Sequence, residues 1–260
     1  MIKAVFLDVD NTLTSPITRE IPQSAREAVR LARKNGVYVF VSTGRHTRIK
    51  EEGRIISDLE LDGYVSLNGQ ICYMSDGTVF YKQPLDEDDV AATIKLSDEL
   101  NFACSVSEFD SIYMNRENDI VRQFHSMIKI PLLELREVKD LRGHEVFSLA
   151  PYIDLEQEKV LLSLLRKSTI VRYNPITGDV IPANGGKHVG IEKTLKYLGL
   201  EREQAMAVGD GGNDISMIRY AGVGVAMGGS ADEVMAAADY IAPGPDEDGI
   251  YRTFKAFNVI

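Results

Sequence analysis

The chain has 260 residues, 44% of them hydrophobic and 26% charged, the composition of a globular protein long enough for one large domain or a domain with an insertion. Its 39 acidic residues outnumber its 29 basic ones for a net charge of -10, which argues against general attraction to nucleic acid or to an anionic membrane surface. Nowhere do about 18 apolar residues run together as a membrane span requires, and the apolar start, Met1 to Leu7, is too short for a signal peptide. The expectation is therefore a cytoplasmic protein without a membrane or nucleic-acid partner. Cys72 and Cys104 form no CxxC pair and fit small buried residues in a reducing compartment better than a disulfide or a metal site.

In chain order, Ile2 to Leu7 reads as a buried strand, Ser24 to Lys34 carries apolar residues at helical spacing, and Asn35-Gly36 stops that helix before a second strand, Val37 to Val41. Such a βαβ unit is right-handed and makes parallel sheet, so Thr43-Gly44-Arg45 emerges on the same edge as Asp8. Tyr64 to Leu67 follows, then Asn68-Gly69, then Gln70 to Met74 and Thr78 to Lys82 joined by hairpin chemistry at Ser75-Asp76-Gly77. From Gln83 to Ala183 the pattern becomes that of a separate α+β module: helices over Asp86–Leu100, Asp119–Ile128 and Leu155–Lys167, and short strands near Phe102–Ser107, Ser111–Asn115, Glu145–Ala150, Thr169–Tyr173 and Asp179–Ile181. The βα rhythm then resumes with a helix over His188–Leu198, a strand ending at Val208, a helix over Asp214–Ala221, a strand over Val223–Ala226, a helix over Ala231–Ala238, Tyr240-Ile241 and a last helix ending near Phe257. The fold expected is α/β: a parallel-sheet core from residues 1–82 and 184–260, with residues 83–183 inserted into it.

Two acidic groups sit where strands end. Asp8-Val9-Asp10-Asn11-Thr12 follows Ala4 to Leu7, and Gly209-Asp210-Gly211-Gly212-Asn213-Asp214 follows Ala205 to Val208. In an open α/β sheet the carboxyl ends of the strands form the ligand crevice, so these carboxylates meet there. Like charges so close repel and raise one another's pKa unless a cation joins them, and an oxygen-only set without His or Cys suits a hard ion such as Mg2+. The constellation points to an enzyme acting on phosphate. Taken singly, each residue has a plainer use: Asp10 or Asp214 as a helix N-cap, Thr43-Gly44 as a strand-to-helix turn, Lys187 as a solvated lysine. The four histidines, His46, His125, His144 and His188, show no metal-ligand spacing and read as surface or capping residues.

The order Asp-x-Asp-x-Thr from Asp8, Thr-Gly-Arg from Thr43, the isolated Lys187 opening a helix, and Gly-Asp-x-x-Asn-Asp from Gly209 resembles the haloacid dehalogenase-like phosphatase superfamily, and more narrowly its Cof-type group. The resemblance spans the chain and includes the Asn68-Gly69 turn and Val225 to Gly228. It implies a Rossmann-like core with an inserted α+β cap of the C2 type, and an Mg2+-dependent phosphatase. It makes Asp8 the nucleophile that forms an aspartyl-phosphate, and Asp10 the general acid and base whose backbone carbonyl helps hold the metal. Thr43, Gly44, Lys187 and Asn213 become phosphate-binding residues, Asp210 a direct metal ligand beside Asp8, and Asp214 a group orienting the metal shell from behind. The backbone N–H groups around Asn11 are a further candidate for the anion. This chain departs from the group at His188, where a glycine is common after the lysine, and at Gly229-Ser230-Ala231, where an asparagine is common.

An alkoxide leaving group gains from a general acid and a halide does not, so Asp10 favours phosphoester chemistry over dehalogenation. About 30 residues separate Thr12 from Thr43, filled by the βαβ helix, which leaves the module between Thr43 and Lys187 as the lid. In the resembled family a cap there selects the substrate, and its bulk favours a small phosphorylated metabolite, a sugar phosphate or similar phosphomonoester, as partner. Tyr113, Asn115, Arg116, Arg122, Arg172 and Tyr173 are candidates for reading the leaving group, with none assigned. Two alternatives stay open: a phosphotransferase or phosphomutase using the same intermediate, and a non-catalytic regulator binding a phosphometabolite. The oligomeric state is not legible.

Overall fold

A computed structural model describes residues 1–46, 56, 58–128, 131–172 and 174–260. The chain divides into two compact units, Met1–Lys82 with Gly186–Ile260, and Gln83–Gly185.

The first unit starts with β1 (Ala4–Leu7), all four residues buried, as suits a strand covered on both faces of a parallel sheet. Helix α1 (Gln23–Lys34) buries Ala25, Ala28, Val29 and Ala32, a stripe at helical spacing. It stops at Asn35-Gly36, where Gly36 takes φ 76°, the left-handed turn that ends many helices. Strands β2 (Tyr38–Ser42), β3 (Gly63–Ser66), β4 (Ile71–Met74) and β5 (Val79–Lys82) follow.

The second unit comprises α2 (Glu87–Leu100), β6 (Cys104–Ser107), β7 (Ile112–Met114), α3 (Asp119–Ile128), β8 (Glu134–Leu135), β9 (Ser148–Pro151), α4 (Leu155–Leu164), β10 (Ser168–Arg172) and β11 (Gly178–Pro182). Its strands order as β10-β11-β9-β6-β7-β8. The sheet is antiparallel except where β7 meets β8. Val90, Ile94, Phe102, Val106, Leu149, Leu161 and Val180 form its core. Strand β9 begins three residues later than the sequence reading placed it, and two further features differ. Strand β8 has only two residues, both exposed, and so no apolar pattern to announce it. Helix α4 ends at Leu164 instead of Lys167, because the buried carboxylate of Asp89 on α2 accepts the N–H groups of Arg166 and Lys167, both at 2.9 Å, and draws that segment out of the helix.

The chain then returns to the first unit with α5 (Lys187–Leu198), β12 (Ala205–Gly209), α6 (Ile215–Tyr220), β13 (Val223–Met227), α7 (Asp232–Met235), β14 (Tyr240–Ala242) and α8 (Gly249–Ala256). Its sheet orders as β14-β13-β12-β1-β2-β3-β4-β5. Pairing is parallel from β14 to β3 and antiparallel across β4 and β5. In register, Leu7 lies between Val208 of β12 and Val41 of β2. Asp8, Asp210 and Thr43 therefore all leave the sheet at the carboxyl ends of three adjacent strands.

Phe6, Phe40, Val65, Ala207, Ile191 and Leu195 pack one face of this sheet beneath α5. Cys72 and Cys104 are free and buried, and burial pushes the Cys72 thiol up to about 12. Two of the histidines are not surface residues: His46 and His125 are buried, and His125 uses its ring nitrogens on the Pro131 carbonyl at 2.8 Å and the Tyr152 hydroxyl at 3.1 Å. Among the described residues no helix is long and apolar enough to cross a membrane.

The strand that carries Asp8 is anchored through Phe6, which is fully buried and stacks on Phe40 at a centroid distance of 5.5 Å. Phe6→Ala is expected to lower the unfolding free energy by about 3–5 kcal/mol, the usual loss for emptying a buried aromatic site, as read from urea denaturation.

Candidate active site

The side chain of Lys187, the first residue of α5, is completely buried. Its Nζ lies 2.6 Å from Asp8 Oδ1 and 2.5 Å from Asp214 Oδ1. One ammonium thus joins the end of β1 to the loop after β12. Burial works against the charge on Lys187, but Asp214 and Asp8 outweigh it and hold its proton more firmly than usual. Burial also raises the Asp8 carboxyl well above its ordinary range, with Asp214 adding to the rise and Lys187 opposing it.

Asp214 spends both oxygens inside the protein. Oδ1 meets Lys187, and Oδ2 accepts the N–H groups of Asp210 at 3.0 Å and Gly211 at 2.9 Å. It is buried and does not cap α6, the plainer use the sequence left open for it. Asp210 faces the other way, toward the loop Val9–Leu13 after β1: its Oδ1 accepts the Thr12 hydroxyl at 3.0 Å and its Oδ2 accepts Asn11 Nδ2 at 3.4 Å. Burial, with Asp214 nearby, raises the Asp210 carboxyl to about 6, against the pull of those two donors.

Carboxylate oxygens of Asp8, Asp210 and Asp214 lie within 4.8 Å of one another. Three hard oxygen donors with mutual repulsion fit a small divalent cation, which would offset that repulsion. Within the group, Asp214 is bound to Lys187 and to two amides, Asp8 to Lys187, and Asp210 to Thr12 and Asn11. The Asp10 carboxylate stands outside this group. Arg45 grips it with two bonds, Nε to Oδ2 at 2.9 Å and Nη2 to Oδ1 at 2.6 Å, the paired geometry that guanidinium and carboxylate favour. From the sequence Arg45 had no assigned task, with phosphate attraction and a salt bridge both open; the structure shows the salt bridge, to a partner 35 residues away that nothing in the spacing announces.

Thr43 is buried, and its hydroxyl oxygen accepts the N–H of Arg45 at 3.1 Å, a bond that engages a lone pair and not the hydroxyl proton. Beside it, Gly44 lies against the Asn68 side chain, where a Cβ would come within 3.1 Å of Asn68 Oδ1. Asn213 donates from Nδ2 to that same Oδ1 at 3.2 Å. The N–H of Asn11 donates to the Thr14 hydroxyl in its own loop at 3.2 Å. His188 follows Lys187 with its ring close over Gly186, and burial lowers its pKa.

Three hard oxygen donors and one buried positive charge thus stand together at the carboxyl edge of a parallel sheet. A family model for haloacid dehalogenase-like hydrolases matches residues 5–254. The chain belongs to that family. Within it, the chain is 30% identical to a Bacillus subtilis strain 168 protein provisionally named phosphatase YkrA, over 99% of this chain and 98% of that one. Among solved structures it is similar to BT1666 from Bacteroides thetaiotaomicron, from a study of phosphatases of the superfamily, with 31% identity, TM-score 0.92 and coverage of 100% of this chain and 96% of that one. It is likewise similar to the subclass IIB sugar phosphatase BT4131, with 34% identity, TM-score 0.90 and coverage of 99% and 100%. The expected α/β core with its inserted module is the fold of this family.

In the inserted unit, the described polar residues considered as substrate readers are all engaged within that unit. Tyr113 donates its hydroxyl to Glu108 at 3.1 Å, and Asn115 bonds the Cys104 N–H and the Ser97 hydroxyl. Arg116 pairs with Asp98, Arg122 with Glu117, and Arg172 with Glu158. Tyr173 lies outside the described residues.

The buried ammonium supplies a direct test. Lys187→Met leaves Asp8 and Asp214 facing each other without a counter-charge, and is expected to reduce stability by about 3–5 kcal/mol, as read from urea denaturation.

Proposed function

We propose that the chain is an Mg2+-dependent phosphatase hydrolysing a small phosphorylated metabolite, a sugar phosphate or similar phosphomonoester, through an aspartyl-phosphate on Asp8. The observation that carries this reading is Lys187 set between Asp8 and Asp214 with Asp210 alongside. It joins a carboxylate nucleophile, a fixed positive charge and a set of hard oxygen donors at one sheet edge. When bound, the metal supplies positive charge that offsets the charge of the phosphoryl oxygens.

In the first half, an Asp8 oxygen attacks phosphorus, the bond from phosphorus to the alcohol oxygen breaks, and Asp10 gives that oxygen its proton. In the second half, Asp10 takes a proton from water as the water oxygen attacks phosphorus, and the bond to Asp8 breaks to release inorganic phosphate. Lys187 stabilises the charge on Asp8 and on the phosphoryl oxygens, while the Thr43 hydroxyl and the amides of the Gly44 loop bind the group in place. Asn213 completes the phosphate-binding set, and Asp210 and Asp214 hold and orient the metal from the loop after β12. Because Arg45 holds both oxygens of Asp10, proton transfer at Asp10 requires that pair to open or turn. The inserted unit, residues 83–183, is assigned the selection of the alcohol part. The chain's likeness to a sugar phosphatase favours phosphorylated sugars as the first compounds to try.

Phosphate release from a panel of phosphorylated metabolites with Mg2+ tests this reading. Turnover is expected to vanish with EDTA and return when Mg2+ is restored, and to fall to below about one thousandth of the wild-type rate in Asp8→Asn. Activity that survives Asp8→Asn would exclude the aspartyl-phosphate. In Asp10→Asn a loss of about 10²–10⁴ in kcat is expected, the usual contribution of a positioned acid.

A further inference from the structure

Leu67, Asn68 and Gly69, in the turn after β3, have φ of 50°, 53° and 95°. Three left-handed residues in succession are unfavourable, above all at leucine, and persist only where the surroundings over-determine them. Each of the three serves a different neighbour. The N–H of Leu67 donates to the Arg45 carbonyl at 3.1 Å and that of Asn68 to the Thr43 carbonyl at 3.0 Å, so the turn carries the Thr43 to Arg45 loop on its backbone. The buried Asn68 side chain accepts from Asn213 and packs over Gly44. Gly69 lies beneath the start of α5, where a Cβ would come within 2.4 Å of the carbonyl oxygen of Gly186, the residue before Lys187. One strained turn thus touches the three chain segments to which phosphate binding is assigned.

We propose that Asn68 is a positioning residue of the phosphate subsite, holding Asn213 by its side-chain amide and the Thr43-Gly44 loop by its backbone N–H and by packing against Gly44, without touching the substrate. The proposal rests on the phosphatase reading of that subsite. Two loops leaving different strands have no reason to present their donors at a common distance unless something joins them, and donors fixed beforehand need no reorganisation when the anion arrives. Asparagine is suited to the task. It tolerates left-handed backbone better than other side chains, and its amide offers both donor and acceptor. Glycine would keep the turn and remove the amide, which separates the two contributions.

Calorimetric titration of the intact protein with inorganic phosphate in the presence of Mg2+ tests the proposal. Asn68→Gly is expected to raise the phosphate Kd about tenfold while the melting temperature stays within about 4 °C of wild type. Asn213→Ala is expected to weaken phosphate, and the loss in the double variant to fall short of the product of the two single losses, because both remove the same hydrogen bond. For two esters with different alcohols, KM is expected to rise by the same factor in Asn68→Gly. A phosphate Kd within twofold of wild type in Asn68→Gly, or losses that multiply in the double variant, would overturn the proposal. Should Asn68→Gly not fold, Asn68→Ala removes the same amide and keeps the backbone N–H; an unchanged Kd there would overturn the proposal too, and a similar rise would support it. Phosphate binding by a wild-type protein that hydrolyses no ester would sink the phosphatase reading and leave the role of Asn68 to stand on the variants. Failure of the wild type to bind phosphate would overturn both.

Discussion

The site depends on a single ammonium held out of water between two carboxylates. Lys187 is as buried as any core residue, and a charge in that position is tolerable only because Asp8 and Asp214 meet it at hydrogen-bond distance. The constraint works in both directions. Asp8 and Asp214 come from strands adjacent in the sheet, and without the lysine they would set two negative charges together in a poorly solvated place. The start of α5, the end of β1 and the loop after β12 are therefore fixed relative to one another by electrostatics as much as by apolar packing.

Around that centre, loops far apart in sequence are joined by side chains. Thr12 and Asn11 bond Asp210, Asp214 bonds the amides of its own loop, Asn213 bonds Asn68, and Arg45 bonds Asp10. Connecting loops are ordinarily the mobile part of a fold. Here the loops that leave the carboxyl ends of the strands are tied laterally, which suits a site whose chemistry requires donors and charges to stand ready before the ligand enters.

How far the sequence disclosed this differs by kind of feature. The βαβ start and the strands carrying Asp8 and Asp210 were legible because their residues are buried on both faces and read as unbroken apolar runs. The meeting of Asp8 and Asp210 then followed from their places at strand ends, and that of Asp8 and Thr43 from the right-handed βαβ connection. The pairing of Arg45 with Asp10 was not legible, because a salt bridge between loops leaves no periodic trace. The Asn68-Gly69 turn was legible, but not that it begins at Leu67, because a leucine gives no signal of left-handed backbone. In the inserted unit, the early end of α4 follows from Asp89, about 77 residues upstream, and local helix preference carries no word of such a distant acceptor. The arginines of that unit resemble substrate readers by type alone. Their internal acid partners show that residue type does not reveal destination.

The division of the chain also governs the order in which the protein is made. Strand β1 pairs with β2 on one side and with β12 on the other, Ala4 opposite Ala205, so one edge of the central strand has no partner until most of the polypeptide has left the ribosome. The inserted unit is contiguous, Gln83–Gly185, and has all its strands available first. Contacts of such long sequence separation are slow to form and leave an exposed strand edge in the interval. Pairing of β12 with β1 also carries the loop of Asp214 to Asp8, so the covering of that strand edge and the assembly of the Lys187 ion pairs belong to one step.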